Sequence, residues 1–285
     1  TRDFCLSRGL GDVSMRQIGK SIEQLERMTH DDIARFFLTH YAPNNAVVSV
    51  GGDITFERAA ELARKWFGQI ERRDIAPRLY MPEPLPTAPR RKVVTARVPQ
   101  TMLTIAFPMG GIDSPDYVPA DLLPDILASG NSSRFYRRLL LGTDIFNEID
   151  ASIIGSNEPG ALMVSAKLAR NSLAEADRAI EAITAQLNEI AAEGPDATET
   201  RRAINRFESN RTFSNINNLN LTMNIAQDEI QGVDFNSVND TYRRVTPDDI
   251  RSCARRIFRP EHASTLIYGP EELTKDTLTS ELMNS

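Results

Sequence analysis

The stretch RMTHDDIARFFLTHYAPNNAVVSVGGD, residues 27–53, returns without a gap as RVTPDDIRSCARRIFRPEHASTLIYGP, residues 244–270. The offset is 217 (244 − 27), and eight positions are identical: Arg27/Arg244, Thr29/Thr246, Asp31/Asp248, Asp32/Asp249, Ile33/Ile250, Pro43/Pro260, Ala46/Ala263 and Gly52/Gly269. Each copy reads as one physical unit. Thr29 and Thr246 stand where an N-cap is wanted, and Asp three residues on faces the positive end of the helix. Pro247 falls at the first helical position, where its missing N–H costs nothing. A short amphipathic helix follows, and Pro43 and Pro260 stop it. Then comes a buried-strand pattern, AVVSV or STLIY, closed by Gly.

A period this long is no solenoid, whose repeats run to roughly 20–50 residues. It implies two homologous domains of about 200 residues each, an ordinary domain size. The chain has room for one complete repeat and the tail of another, so about 150 residues of the first repeat are expected ahead of Thr1. The stretch 73–89 carries Pro77, Pro82, Pro84, Pro86 and Pro89, a density that favours an extended, semi-rigid linker. The expected layout is therefore 1–72 as the remnant of the first repeat, 73–89 as the linker and 90–285 as a complete second repeat.

In that second repeat KVVTARV and TMLTIAFPM read as strands. PDYVPADLLPDILAS reads as a helix disturbed by Pro119 and Pro124, and SSRFYRRLLL as a shorter helix. IFNEIDASII and ALMVSAKLA flank GSNEPG and read as a hairpin. A long helix runs from the Ser172 cap to Gly194, and another begins near Ala197. The Asn-rich run SNRTFSNINNLNLTMN predicts a break in or beside that helix. The duplicated helix–strand unit closes the repeat. The order implies an α+β fold, one antiparallel-rich sheet covered by helices. Expected core positions include Val94, Leu103, Ile105, Leu123, Ile126, Leu139, Ile153, Val164, Ile180, Ile183, Leu187 and Ile267.

Residue chemistry alone gives no catalytic centre. The three histidines, His30, His40 and His262, have no ligand spacing, and neither H-x-x-E-H nor H-E-x-x-H occurs. GLG at 9–11 and MGG at 109–111 lack the Lys-Ser/Thr of a phosphate loop. A net charge of −6 argues against general nucleic-acid binding, and Arg137-Arg138 and Arg201-Arg202 read as solvated helix faces. With 41% hydrophobic and 25% charged residues the chain reads as soluble and globular, and no apolar run reaches membrane-spanning length. Cys5 and Cys253 exclude a disulfide framework; two buried thiols or a single bridge both fit.

SIEQLERMTHDDIARFFLTHYAPNNAVVSVGGDI is similar to the segment closing the first domain of the pitrilysin, insulinase and mitochondrial-processing-peptidase zinc proteases. LPDILASGNSSRFYRRLL is similar to a helix–Gly–Ser-Arg stretch of their second domain. The resemblance implies two α+β halves enclosing a chamber. The first half carries H-x-x-E-H and a downstream Glu that hold zinc, whose polarised water the motif Glu activates as general base. Unfolded peptides add as a strand to a sheet edge. The second half lacks the zinc motif and often keeps an Arg and a Tyr seven residues apart. Here those positions fall at Leu140 and Asn147, with Arg137 or Arg138 as a neighbouring charge, and the place of the zinc helix falls at ADLLPDIL. The resemblance thus implies no catalytic or metal-binding residue and no cofactor in this chain. Zinc would belong to a missing N-terminal half or a homologous partner chain. It implies unfolded peptides as ligands, no nucleic acid, no membrane span, room for a homodimer, and a bacterial periplasm or cytoplasm, the periplasm favoured. A degenerate homologue acting as partner subunit, scaffold or peptide-binding module without proteolysis is the alternative.

Overall fold

In a computed structural model, residues 22–75, 83–155 and 157–274 are described. The chain divides into two compact units. The first runs to Glu83 and also takes in Phe213–Phe235; the second comprises Pro84–Thr212 and the chain from Asn236 onward.

The second unit is built on a five-stranded sheet ordered β1-β5-β2-β4-β3, with β1 at Arg90–Thr95, β2 at Met102–Met109, β3 at Phe146–Ile154, β4 at Gly160–Leu168 and β5 at Ser264–Gly269. The hairpin expected around GSNEPG is the antiparallel β3–β4 pair. The two strands expected at the start of the repeat are separated in space by β5, which runs parallel to β1 and antiparallel to β2. Because side chains alternate along a strand, Leu103, Ile105, Leu162, Val164 and Ile267 all fall on one face, and all are buried. Packed with that core are α4 (Tyr117–Leu127), α5 (Leu173–Glu193) and α9 (Pro247–Ile257), which supply Leu123, Ile126, Ile183, Leu187 and Ile250. Leu139 is buried with them, while Val94, Ile153 and Ile180 are only half-buried. The opposite face carries a row running Lys92–Leu266–Thr104–Ser165–Asp150 across the sheet.

Local chemistry accounts for the helix ends. Ser172 Oγ accepts from the Glu175 amide to start α5, and Gly194 ends it with φ +79°, a left-handed conformation that suits glycine. The Asn-rich run does break the helical path. α6 (Ala197–Ser214) stops, and α7 (Asn218–Ile230) starts anew with Asn217 as its cap. The proline expectation for α4 needs correcting, because Pro124 lies inside an unbroken helix. Pro119 sits in its first turn, where a missing N–H leaves no bond unmade.

The first unit holds α1 (Ile22–Glu26), α2 (His30–His40), α3 (Phe56–Phe67) and, from far along the chain, α7. Its α2 matches α9 to the residue at the offset of 217. Both have the reciprocal cap, Thr29 with Asp32 and Thr246 with Asp249. Both are followed by a 3-10 turn, Pro43–Asn45 and Pro260–His262. The match extends upstream, since α1 corresponds to α8 (Val238–Arg243) at the same offset. Surroundings separate the copies: Ile250 is fully buried, whereas Ile33 is 57% exposed. The AVVSV segment, expected as a buried strand, is corrected on burial. Val48 and Val50 are more than half exposed, and residues 46–50 pair with no described strand.

Candidate functional site

The stretch that holds Arg138 and Leu140 is a π-helical turn, Tyr136–Leu140, which packs against β3. Its entry is fixed by Arg134. That buried guanidinium donates from Nε and Nη2 to the two carboxylate oxygens of Glu199 at 2.8 and 2.7 Å, and from Nη2 to the Gly194 carbonyl at 3.0 Å. A planar, two-point pair of this kind fixes direction as well as distance. One turn on, Arg138 is exposed and donates to Gln186 and Glu189 of α5. Its guanidinium holds the Glu189 carboxyl below the usual carboxylate range.

Of the three residues singled out from the sequence, Arg138 is thus engaged by α5. Leu140 is half-buried on the π-helical turn. Asn147 is exposed at the irregularity where β3 slips register between Phe146 and Glu148, and its Nδ2 donates to the Leu168 carbonyl at 3.3 Å. Leu140 and Asn147 stand on two packed elements, but neither offers a cationic or phenolic group. β3 is one of the two outer strands of the described sheet, β1 being the other. Beside Asn147 it exposes Glu148 and Asp150, the former paired with Lys167 of β4. An outer strand presents backbone groups to which another extended chain can pair.

At ADLLPDIL, α4 carries two acids one turn apart, each engaged by a different helix. Tyr242 Oη of α8 donates to Asp121 Oδ2 at 2.6 Å, and Arg206 Nε of α6 lies 3.1 Å from Asp125 Oδ1. The Tyr242 ring stacks on Phe207 at 3.5 Å. Burial raises the Asp121 carboxyl above its ordinary range against the opposing pull of the Tyr242 hydrogen bond, and burial followed by the Asp121 charge raises the phenol. Neither pair was foreseen: i,i+4 acids are legible in a sequence, whereas a partner 121 residues away is not.

Among the described residues no group of three or more His, Cys, Asp or Glu could hold a metal ion. His30 and His40 lie at opposite ends of α2, and His262 lies in the other unit. The residues described therefore do not fit a three-ligand zinc centre. Cys253 is buried, with its thiol pushed up to about 12 chiefly by burial, which leaves it inert near neutrality. Cys5 lies outside the described residues. No described helix is long and apolar enough to cross a membrane.

The sequence signature described as "Peptidase M16 inactive domain" matches residues 27–207. A stretch of 115 residues is 30% identical to the zinc protease PqqE of Helicobacter pylori, covering 39% of this chain and 26% of that protein, so the chain spans about a quarter of its curated relative. The fold is shared with a protease from Helicobacter pylori at a TM-score of 0.76 and 20% identity, over 88% of this chain and 61% of that one. It is shared with a peptidase M16 inactive domain from Pseudomonas fluorescens at 0.74 and 14% identity, over 88% and 60%. Since the signature runs over more than half its length, the chain belongs to the peptidase M16 inactive-domain family.

Proposed function

We propose that this chain is the non-catalytic part of an M16-type zinc metallopeptidase, helping to enclose and bind an unfolded peptide while a companion half holds the zinc. The observation that carries this reading is the doubled helix–turn–strand module. One copy is built into a finished sheet, while in the other residues 46–50 have no described strand partner and the helix face is uncovered. In this reading residues 1–72 are the tail of a first repeat, 73–89 the linker and 90–285 the second repeat. The companion, an N-terminal half or a homologous partner chain, supplies the strands that flank residues 46–51. Peptide then adds along the open edge of β3, beside Leu140 and Asn147, with Arg138 holding the π-helical turn against α5.

Leu140 and Asn147, in place of an Arg and a Tyr, favour a second reading, a degenerate homologue that binds partners or peptides without cleavage. One experiment separates the two. Co-expression of the chain with the sequence encoded ahead of it should give a complex that holds zinc and cleaves an unfolded reporter peptide, while the chain alone does neither. A stable complex without cleavage favours the second reading. Failure to form any complex overturns an N-terminal half as the companion.

A further inference from the structure

Residues 213–235 follow α6 in the chain yet belong to the first unit. α7 places Leu219, Thr222, Met223 and Ala226 along one stripe, and these line a groove of about 540 Å³ with Val47–Gly51. At Gly51 the approach is close: an added Cβ would lie 3.1 Å from Thr222 Cγ2 and 3.4 Å from its Oγ1. The duplication says which side of the segment this is. Gly51 corresponds to Tyr268, and along β5 the residues Ser264, Leu266 and Tyr268 point away from the face that buries Ile267. Their counterparts are Val47, Ser49 and Gly51. At Gly51, therefore, α7 lies on the side that corresponds to the Leu266 and Tyr268 face of β5, and glycine in place of tyrosine makes room for it.

Both ends of this excursion are built. At its base Phe207 stacks on Tyr242, Arg243 pairs with Glu208, and Tyr242 is tied to Asp121. The Asn-rich run that suggested only a break has a structural use. Asn217 Oδ1 accepts from the Leu219 and Asn220 amides to start α7, and Asn224 donates to Asn215 at 2.8 Å across the turn. Gly232, with φ +68°, turns the chain back.

We propose that residues 213–235 are a strap lent by the second repeat to the first: α7 backs the closing strand of the first repeat, Gly51 is its seat, and the Phe207–Tyr242 stack pins its base. A backing helix holds the segment 46–51 extended while leaving its two edges open, which is what a companion adding strands on both sides requires. That last role rests on the function proposed above; the seat does not.

The test uses the full chain in a Cys5→Ser background, where Cys253 is buried. The pair Gly51→Cys/Thr222→Cys sets the γ-atom of residue 222 within disulfide reach of residue 51. Mild oxidation of the folded monomer should close this bridge within the chain, with no bridge in either single variant. Gly51→Leu should speed amide exchange in α7 by about tenfold or more while β5 and α9 keep their protection. Tyr242→Phe, which keeps the stack and loses the Asp121 bond, should raise α7 exchange by a smaller factor. A folded monomer in which the bridge does not form, or in which Gly51→Leu leaves α7 exchange unchanged, overturns the strap. A bridge that forms in a chain that takes no companion leaves the strap standing and removes only the proposed function.

Discussion

The chain holds two copies of one folding instruction, and they end in different states. α2 and α9 share their length, their Thr–Asp cap and the 3-10 turn that follows. Ile250, Ala254 and Ile257 are nonetheless buried, while Ile33 and Phe37 at the first two matching positions stand more than half exposed. Local sequence is enough to set caps, helix length and the turn. It does not bury anything, because burial needs the sheet against which the apolar face closes. The same holds one element earlier. Tyr242 is buried against Asp121 and Phe207, whereas its counterpart Leu25 is 58% exposed. Asp121 has no counterpart inside the chain, since an offset of 217 places it ahead of Thr1.

The largest contrast should come from truncating the matched isoleucines. Ile250→Ala should cost roughly 2–5 kcal/mol in denaturant unfolding of the second unit, as expected for a fully buried side chain. Ile33→Ala should stay within about 0.5 kcal/mol, as surface changes do. Similar losses at both sites would show that α2 already has its own core.

The caps sharpen the comparison at smaller scale. Thr246→Ala should cost about 1 kcal/mol of global stability. Thr29→Ala should fray α2, seen as faster exchange of its first amides, with no effect on unfolding of the second unit. The Thr hydrogen bonds hold both Asp32 and Asp249 below the ordinary carboxylate range. A pKa lowered by folding stabilises above the unfolded value, and that contribution is lost as pH falls through the folded one. The cost of Thr246→Ala should therefore shrink in acid, below the normal Asp titration, and carboxyl NMR titration of Asp249 should show the lowered value directly.

The hairpin, the Ser172–Gly194 helix, the module boundaries and core positions such as Leu103, Val164 and Ile183 follow from periodicity and capping, which act within a few residues. The place of β5 between β1 and β2 depends on pairing across more than 150 residues, and no local signal carries that. The same applies to the assignment of α7 to the first unit and to the Asp121–Tyr242 and Asp125–Arg206 pairs. At the candidate site, that neither Leu140 nor Asn147 offers a cationic or phenolic group was readable. The engagement of Arg138 by Glu189, and the Arg134–Glu199 pair that fixes the π-helical turn, were not.

A smaller effect tests the buried pair that only the second copy completes. Burial raises the Asp121 carboxyl above its ordinary range. A carboxyl with a pKa raised on folding favours the fold fully below the unfolded value and loses that contribution as pH rises through the folded one. Asp121→Asn keeps an acceptor for Tyr242 and removes the charge. Its melting temperature should exceed that of the parent at neutral pH, with the gap closing in acid. A gap that widens in acid would contradict this assignment.

The claim that the first copy is an uncompleted repeat is tested most directly by hydrogen exchange on the chain verified as a monomer. The amides of residues 47–51 have no described strand partner, and those of β5 are paired on both sides. The expected result is exchange at 47–51 faster than at 264–269 by several orders of magnitude, the latter opening only with global unfolding. Equal protection of the two segments in a monomer would show that the first copy already has its sheet, and the reading of an uncompleted repeat would fail.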